Sequence, residues 1–295
     1  MSGLDSEPRV SVVILNYNRP QYTLECIRSV LKSNYSNFEV IVVDNCSDFS
    51  LFTFLKEKID VLPVKLIRVA NNTGYAGGNN VGILHSTGKY ILILNDDVTV
   101  DTDMMSGLVT LAEKHEAIGI IGPATYCYNS SELYTYSPEI LKVNNELVDV
   151  SVVVGAALMI RREVIEKIGL LDEDYFMYHE DADWCVRARN AGYRIVCAPK
   201  VRAWHNVNEK TWLAPYFAYF YHRNYFLFAA KHCKTSREAL HLLFRNIIWY
   251  DKRNFPALYP LFALTRARSK TKSFKAYFAG IIAGIAFFLR HCLFA

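Results

Sequence analysis

The sequence lacks the cysteine patterns that mark disulfide-rich domains and many metal sites. Its seven cysteines form no C-x-x-C pair and no Cys/His metal-binding spacing. They are scattered and odd in number, which favours separately buried, reduced thiols in a cytosolic protein over a disulfide framework. The cysteines are Cys26, Cys46, Cys127, Cys185, Cys197, Cys233 and Cys292.

Long apolar segments, internal repeats and low-complexity stretches are also missing. The longest apolar run, residues 276–289, has 14 residues, whereas a perpendicular membrane span needs ~20. The first ten residues are polar, which predicts that there is no signal peptide. With 52% hydrophobic and 21% charged residues, the 295-residue chain can bury a sizeable core, and this excludes a disordered protein.

The charges are divided unevenly along the chain. Residues 1–206 carry 19 Lys and Arg against 26 Asp and Glu, a net charge of −7, whereas residues 207–295 carry 14 against 3, a net charge of +11. This asymmetry favours a second part that meets an anionic partner. No recognised nucleic-acid-binding motif accompanies the positive charge, so we expect no nucleic acid. A membrane surface is favoured over an oligomer interface or helices packed on the first part.

Buried strands and helices alternate in the first half of the chain. The predicted strands are 10–16, 38–44, 64–69 and 89–96, and the predicted helices are 20–33, 51–59 and 77–88. The strands are rich in β-branched residues without polar alternation, as is typical of strands covered on both faces. The repeated β-α units therefore predict a mostly parallel, doubly wound α/β sheet. Later segments predict strands within 148–162 and 193–205, helices that end at Gly169 and Gly192, and aromatic, basic helices after residue 212.

Segments rich in Asn, Asp and Gly follow each of these four strands. They are 16–20, 44–48, 71–80 and 95–97. Each one alone has the composition of an ordinary turn. In open α/β sheets, however, ligands bind at the carboxyl ends of the strands, so four such segments at one rim predict a ligand site.

Two of these segments allow more than one interpretation. The spacing G-x-x-G-G after the third strand differs from the dinucleotide fingerprint, and we expect Gly77 and Gly78 to let the backbone approach a ligand at a helix start. In the segment NDD, Asp97 holds a divalent cation whose shell a diphosphate completes. Alternatively, Asp96 or Asp97 caps a helix that begins near residues 101–105.

The segment HEDADWCVR, residues 179–187, places His179, Glu180, Asp181 and Asp183 in five positions. These acidic side chains fit an ordinary helix start, because carboxylates in a first turn are favoured by the helix dipole. They also fit a metal site or a catalytic base. The residues of this segment alone do not decide between a helix start, a metal site and a catalytic base.

Several motifs together carry a family resemblance. VSVVILNYNRP, VVDNCSD, NNTGYAGGNNVGI, LILNDD, GAALMIRREVIEKIGLLDEDYFMYHEDADWCVRARNAGYRI and YHRNYFLF occur in this order. Over roughly residues 9–230 the chain resembles the inverting glycosyltransferases of family 2, especially the bacterial rhamnosyltransferase-like branch. The resemblance implies a GT-A type catalytic domain (1–210) and a helical, basic C-terminal region (211–295).

The resemblance also implies the reaction and its partners. A sugar, with rhamnose the leading candidate, moves in a single displacement from a dTDP- or UDP-linked donor to a glycan or polyprenyl-linked acceptor. A divalent cation, Mg²⁺ or Mn²⁺, is the implied cofactor. We expect a cytoplasmic enzyme of cell-surface polysaccharide synthesis that is peripheral on the inner face of the membrane. A UDP-hexose or N-acetylhexosamine donor, or a non-catalytic nucleotide-sugar-binding scaffold, is the alternative.

Matching the motifs residue by residue implies roles for individual side chains. Asp181 is the catalytic base, and Glu180 orients acceptor hydroxyls. Asp97 is the metal ligand, although Asn95 stands where the family's D-x-D motif has its first carboxylate; His205 is a second metal or diphosphate contact, or else a strand-end histidine. The implied nucleotide-sugar-binding residues are Asn16, Tyr17, Asn18, Arg19, Asp44 (the base reader), Asn45, Ser47, Asn72, Gly74, Gly77, Gly78, Asn79 and Asp96.

The remaining candidates lie toward the acceptor and the C-terminal part. Gly155 and Ala156 would let the backbone pass close to a sugar, and Tyr178 would help to floor the acceptor pocket. Trp184 stacks on an acceptor sugar or packs in the core. Arg223, in an R-N pair, clamps a diphosphate or lies on a helix surface.

Overall fold

The computed structural model describes residues 7–128, 132–134, 140, 144–206, 214–233, 235, 238, 275 and 279–286. The chain forms two compact units, Met1–Phe176 with Glu180–Val207 and Met177–His179 with Asn208–Ala295. The predicted helix over 237–250 lies outside the described residues, apart from residue 238. The division into a catalytic domain and a C-terminal region therefore stays a prediction.

The first unit contains one mixed sheet flanked by helices. Its described strands are β1 (Val10–Asn16), β2 (Phe38–Asp44), β3 (Val64–Arg68), β4 (Tyr90–Asn95), β5 (Val98–Val100), β6 (Ile118–Cys127), β7 (Val148–Asp149), β8 (Ala157–Arg161) and β9 (Arg194–His205). The helices are α1 (Pro20–Val30), α2 (Phe49–Ile59), α3 (Gly74–Leu84), α4 (Met104–Lys114), α5 (Arg162–Ile168) and α6 (Glu180–Asn190).

The strand order is β3-β2-β1-β4-β8-β6-β9-β5, with β7 paired to β9. The predicted β-α units form the parallel half, β3-β2-β1-β4. Strand β8 runs antiparallel to both β4 and β6 and ends this half. In the other half, β6 and β9 are parallel, whereas β5 and β7 run antiparallel to β9. The structural neighbours have the GT-A fold, so the predicted fold is confirmed.

The core explains why the apolar runs become strands. Every apolar residue of β1 except the partly buried Leu15 is buried, and strand β4 is buried from Tyr90 to Leu94. Two apolar clusters cover opposite faces of the sheet, one around Val12 and Val42, the other around Val13 and Ile93. Burial on both faces removes the need for polar alternation.

In the second unit, helix α7 (Pro215–His232) is the main described element, and residues 279–286 are also helical. Gly280 packs against the backbone of Tyr219, and Gly284 packs against the ring of Phe226. None of the helices in the described ranges is long and apolar enough to cross a membrane.

Candidate active site

The carboxyl ends of four strands meet at one edge of the sheet. Asn16, the last residue of β1, is in register with Asp44, the last residue of β2, and Asp44 is in register with Arg68, the last residue of β3. Asn95, at the end of β4, is paired with Leu15 of β1. The polar segments that follow the predicted strands therefore share one rim.

Asp44 is the buried centre of the first cluster at this rim. Its carboxylate accepts hydrogen bonds from Asn16 Nδ2 at 2.7 Å and from the Ser47 amide at 3.2 Å. Arg68 Nη1 lies 3.5 Å from Asp44 Oδ2, the oxygen that also accepts from the Ser47 amide. A fully buried carboxylate is costly unless it is paired in this way. Asp44 thus ties β1, β2 and β3 together at the predicted nucleotide end.

Arg68 is a residue of this cluster that the sequence analysis missed. Besides its ion pair with Asp44, its Nη2 donates to the carbonyl oxygen of Ser47 at 2.7 Å. Its guanidinium also lies 4.2 Å from the ring centroid of Phe52. The available signal was its place near the end of the third predicted strand, three residues before the polar segment 71–80.

Two neighbouring residues after β1 have different environments. Asn18 has a positive φ of 57°, a conformation that Asn tolerates better than most residues. Its amide donates to Ser47 Oγ at 2.9 Å, and its side chain accepts from the amide of Asp48 at 2.7 Å. Tyr17 is 46% exposed. The turn at Asn18 is therefore fixed by protein contacts. The Tyr17 ring is accessible from solvent, as its predicted contact with a nucleotide requires.

Asn45 holds the loop that precedes α3. Its Nδ2 donates to Asn72 Oδ1 at 3.0 Å and to the Gly74 carbonyl at 2.9 Å, and its Oδ1 accepts from the Thr73 amide. Gly74 has a φ of +73°, and a Cβ there would lie 2.3 Å from the Phe176 carbonyl oxygen. Asn79 is fully buried and its Oδ1 has no hydrogen-bond partner.

Gly77 and Gly78 have a packing role that is separate from the predicted role, which was to let the backbone approach a ligand. A Cβ on Gly78 would lie 2.4 Å from the Leu15 side chain, and a Cβ on Gly77 would lie 2.7 Å from Thr73. The space that these glycines leave is taken by the protein itself. These contacts concern only the direction of a Cβ, so the expectation that the two glycines let a ligand approach the backbone stays a prediction.

The second cluster surrounds Asp97 at the end of β4. Arg19 Nη2 lies 2.8 Å from Asp97 Oδ2, and Arg19 Nη1 lies 3.2 Å from Asp96 Oδ1. His205, at the end of β9, places Nε2 2.9 Å from Asp97 Oδ1. Strand β5 separates Asp96 and Asp97 from helix α4, so neither carboxylate caps that helix.

The two adjacent carboxylates have opposite pKa shifts. Burial and the charge of Asp97 raise the pKa of Asp96, although Arg19 opposes them. Burial also acts to raise the pKa of Asp97, but the hydrogen bond and charge of His205, together with Arg19, outweigh it and lower that pKa. Asp97 is therefore the carboxylate that is ionised and suited to a cation.

The donor atoms around Asp97 fit a divalent cation that is shared with a ligand. Asn95 Oδ1 and His205 Nδ1 are buried without a hydrogen-bond partner. One carboxylate and one imidazole are suitable protein ligands, but the described part of the chain has no group of three His, Cys, Asp or Glu residues that could hold a metal alone. A cation here would therefore take its remaining ligands from solvent and a diphosphate.

The acidic segment forms the first turn of α6. Asp181 Oδ2 accepts a hydrogen bond from the Gly155 amide at 2.9 Å, and Oδ1 accepts one from the Ala182 amide at 2.7 Å. Glu180 is buried, and its Oε2 has no hydrogen-bond partner. Burial raises the pKa of Asp181, only partly opposed by these two amides, and burial and then the charge of Asp181 raise the pKa of Glu180 well above its usual range.

Residues 155 and 156 connect this carboxylate to the end of β4. While the Gly155 amide donates to Asp181, the neighbouring Ala156 carbonyl accepts from the Asn95 amide at 3.0 Å. The Gly155 carbonyl accepts from Tyr75 Oη at 2.7 Å. Burial raises the pKa of Tyr75, and the charges of Glu180, Asp181 and Asp97 raise it further. The Gly155–Ala156 segment therefore hydrogen-bonds to the acidic segment, to Tyr75 and to the end of β4.

Two other residues of α6 have structural roles. Trp184 is fully buried, and its indole Nε1 donates to the Gly169 carbonyl at 2.9 Å. The predicted stacking of Trp184 on an acceptor sugar is therefore wrong, and the core alternative is correct. Asp183 is buried and pairs with Arg187 at 2.7 Å, which explains its place in the first turn without a catalytic role.

The last two candidates belong to the second unit. Tyr178 packs edge-on against Phe217 with ring centroids 4.9 Å apart. Arg223 Nε donates to Asn224 Oδ1 at 2.7 Å, and its guanidinium lies 5.0 Å from the ring centroid of Phe220. Both residues are partly exposed. Their proposed contacts with acceptor and diphosphate stay predictions.

Comparison with known proteins identifies the family. The fold is that of GT-A enzymes, and residues 11–169, more than half of the chain, match Glycosyl transferase family 2. The chain belongs to this family and is a glycosyltransferase. It is similar to the dTDP-rhamnosyl transferase RfbF of Shigella flexneri, with 28% identity over 217 residues that cover 68% of this chain and 70% of that protein.

Further similarities agree with this assignment. The low-salt glycan biosynthesis hexosyltransferase Agl10 of Haloferax volcanii is 28% identical over 236 residues, 74% of each chain. S. aureus TarS (residues 1–349) in complex with UDP-GlcNAc has a TM-score of 0.66 at 15% identity, over 96% of this chain and 81% of that one. The Pyrobaculum calidifontis mannosyltransferase PcManGT, in complex with GDP-Man and Mn²⁺, has a TM-score of 0.60 at 18% identity. The match covers 98% of this chain and 88% of that one.

Proposed function

We propose that the protein is an inverting glycosyltransferase that moves rhamnose from a dTDP-linked donor to a hydroxyl of a glycan or polyprenyl-linked acceptor. The observation that carries the proposal is the carboxylate of Asp181, which the Gly155 amide holds at 2.9 Å while the next residue, Ala156, bonds to the Asn95 amide at the end of β4. Similarity to a dTDP-rhamnosyl transferase supports the donor. The setting we propose is cell-surface polysaccharide synthesis.

Asp181 acts as the general base in this proposal. It takes the proton of the acceptor hydroxyl as the hydroxyl oxygen attacks the anomeric carbon, opposite the bond to the diphosphate. A new C–O bond forms, the bond to the diphosphate oxygen breaks, and the configuration inverts. The raised pKa of Asp181 makes it a stronger base than an ordinary aspartate. Glu180 accepts or donates hydrogen bonds that orient the acceptor.

The nucleoside diphosphate is held by the other clusters. Asn16, Asp44 and Ser47 shape the end where the pyrimidine lies, with the exposed ring of Tyr17 available for stacking. Arg19 donates hydrogen bonds to the diphosphate as negative charge grows on it. Asp97 and His205 would hold a Mg²⁺ or Mn²⁺ ion, which when bound neutralises charge on the leaving diphosphate.

A membrane surface is the proposed location of the reaction. The net charge of +11 over residues 207–295 supports contact with anionic headgroups. Co-sedimentation with vesicles of anionic and of neutral lipids tests this part. Binding to anionic vesicles that high salt reverses is expected, whereas equal binding to both or to neither contradicts it.

Calorimetric titration tests the donor assignment without an acceptor. The purified protein is titrated with dTDP, UDP and GDP, each with and without Mn²⁺. Binding of dTDP that exceeds that of UDP and is strengthened by Mn²⁺ is the expected result. A preference for UDP favours a UDP-hexose or N-acetylhexosamine donor instead, and no binding to any of the three by folded protein favours a non-catalytic scaffold.

A further inference from the structure

The backbone directly before the acidic segment has an unusual conformation. Phe176, Tyr178 and His179 have φ angles of 62°, 71° and 73°. Side chains other than glycine rarely adopt positive φ, and such residues persist only where the surroundings hold them. Three such residues among four consecutive positions therefore require specific contacts that hold this segment.

Asn224 of helix α7 provides these contacts. Asn224 is fully buried, and its Nδ2 donates to two consecutive carbonyl oxygens, those of Met177 at 2.7 Å and Tyr178 at 2.9 Å. Its Oδ1 accepts from Arg223 Nε at 2.7 Å, which orients the amide so that the nitrogen faces the segment. Residues 177–179 and helix α7 belong to the same compact unit.

The segment 177–179 is also tied to its surroundings at each end. On one side, the Phe176 carbonyl accepts from the Ala76 amide in the first turn of α3 at 3.1 Å. On the other side, one peptide bond joins His179 to Glu180, and Asp181 follows. Residues 177–179 are therefore directly continuous in the chain with the first turn of α6.

We propose that Asn224 is a positioning residue for glycosyl transfer, because it fixes the backbone that leads into Glu180 and Asp181. This inference rests on the proposed function of Asp181. Asn224 touches neither sugar nor diphosphate in this account. The two carbonyls need a two-proton donor, so the amide nitrogen of Asn is required, and a carboxylate of the same shape would repel them.

The test compares Asn224→Asp and Asn224→Ala with Leu227→Ala, a matched control that removes an equally buried apolar side chain from the same helix. For both Asn224 variants we expect kcat to fall by about 10²-fold, as for a small misplacement of a catalytic group. The KM for the donor and the dissociation constant of dTDP stay unchanged. Leu227→Ala lowers the melting temperature but keeps the wild-type kcat.

Hydrogen exchange gives a second readout that needs no substrate. Peptides that cover residues 177–183 should exchange faster in the Asn224 variants than in wild type or in Leu227→Ala. Wild-type kcat in Asn224→Asp, or an equal loss of kcat in Leu227→Ala, overturns the proposal. If the wild-type protein transfers no sugar, the proposed function fails, while exchange at 177–183 still decides whether Asn224 holds the segment.

Discussion

The amide of Gly155 donates a hydrogen bond to the carboxylate of Asp181 at 2.9 Å. This contact fixes the proposed base to a backbone segment whose next carbonyl, that of Ala156, accepts from the Asn95 amide at the end of β4. The base and the strand that carries the cation-binding candidates are therefore joined through two consecutive residues. Transfer by inversion needs such a fixed relation between the attacking hydroxyl and the leaving diphosphate.

Asp181→Asn should slow transfer strongly and leave nucleotide binding intact. The asparagine oxygen can still accept from the Gly155 amide, but the side chain no longer takes a proton, so kcat should fall by about 10²–10⁴-fold. Transfer assays and dTDP titration measure the two effects. Asp60→Asn, at an exposed ion pair with Lys56, is the control and should retain full activity. Turnover by Asp181→Asn at the wild-type rate would remove this residue from the mechanism.

Arg19→Gln should strengthen Mn²⁺ binding, because Arg19 competes with a cation for Asp97 at 2.8 Å. Asp97→Asn should weaken it. Direct titration with Mn²⁺ in the absence of nucleotide measures both, since it does not depend on activity. Arg28→Gln, at an exposed position of helix α1, which begins directly after Arg19, should leave Mn²⁺ affinity unchanged. Weaker Mn²⁺ binding by Arg19→Gln would contradict competition at this carboxylate.

On the acidic side, kcat should begin to fall at a higher pH than it would with an ordinary aspartate as the base. Burial raises the pKa of Asp181 above its ordinary value of 3.8, and the base acts only when it is ionised. Activity should therefore rise with pH through a value higher than that of a solvent-exposed aspartate. A pH-rate profile that is flat down to the ordinary carboxylate range would count against Asp181 as a buried base.

Glu180→Gln should change how stability depends on pH. The pKa of Glu180 is raised in the folded state, so the unfolded chain ionises first, near its ordinary value of 4.5. The free energy of unfolding of the wild type should therefore lose a contribution as pH rises from there toward the raised pKa. Denaturant unfolding at several pH values should show that the free energy of unfolding of Glu180→Gln increases relative to that of the wild type as pH rises. The exposed control Glu166→Gln should show no such trend.

Trp184→Phe should reduce stability without changing the use of acceptor. The indole is buried and donates to the Gly169 carbonyl, and leaving a buried carbonyl without its donor costs about 1–3 kcal/mol. Thermal unfolding and the acceptor KM separate the two effects. A raised acceptor KM with an unchanged melting temperature would restore the sugar-stacking role.

The sequence predicted which polar residues share one rim of the sheet, because position at the end of a strand is a local property. Asn16, Asp44 and Asn95 end buried strands, and the parallel register brings them to one rim. Arg68 was missed because its partner Asp44 lies on the neighbouring strand and becomes adjacent only through pairing.

Other features depended on contacts that no local pattern contains. The apolar run of β8 reads like a parallel strand, since burial on both faces hides strand direction. The packing of Gly78 against Leu15, a residue of β1 that is distant in sequence, is one such contact. The burial of Trp184 likewise depends on where the Gly169 carbonyl lies.

The most direct test of the account is the stereochemistry of transfer. Wild-type protein with Mn²⁺, dTDP-rhamnose and a panel of alkyl glycoside acceptors should give a product whose anomeric configuration, read by NMR, is opposite to that of the donor. Asp181→Asn should form it far more slowly. A product that retains the donor's configuration would contradict single displacement with Asp181 as the base.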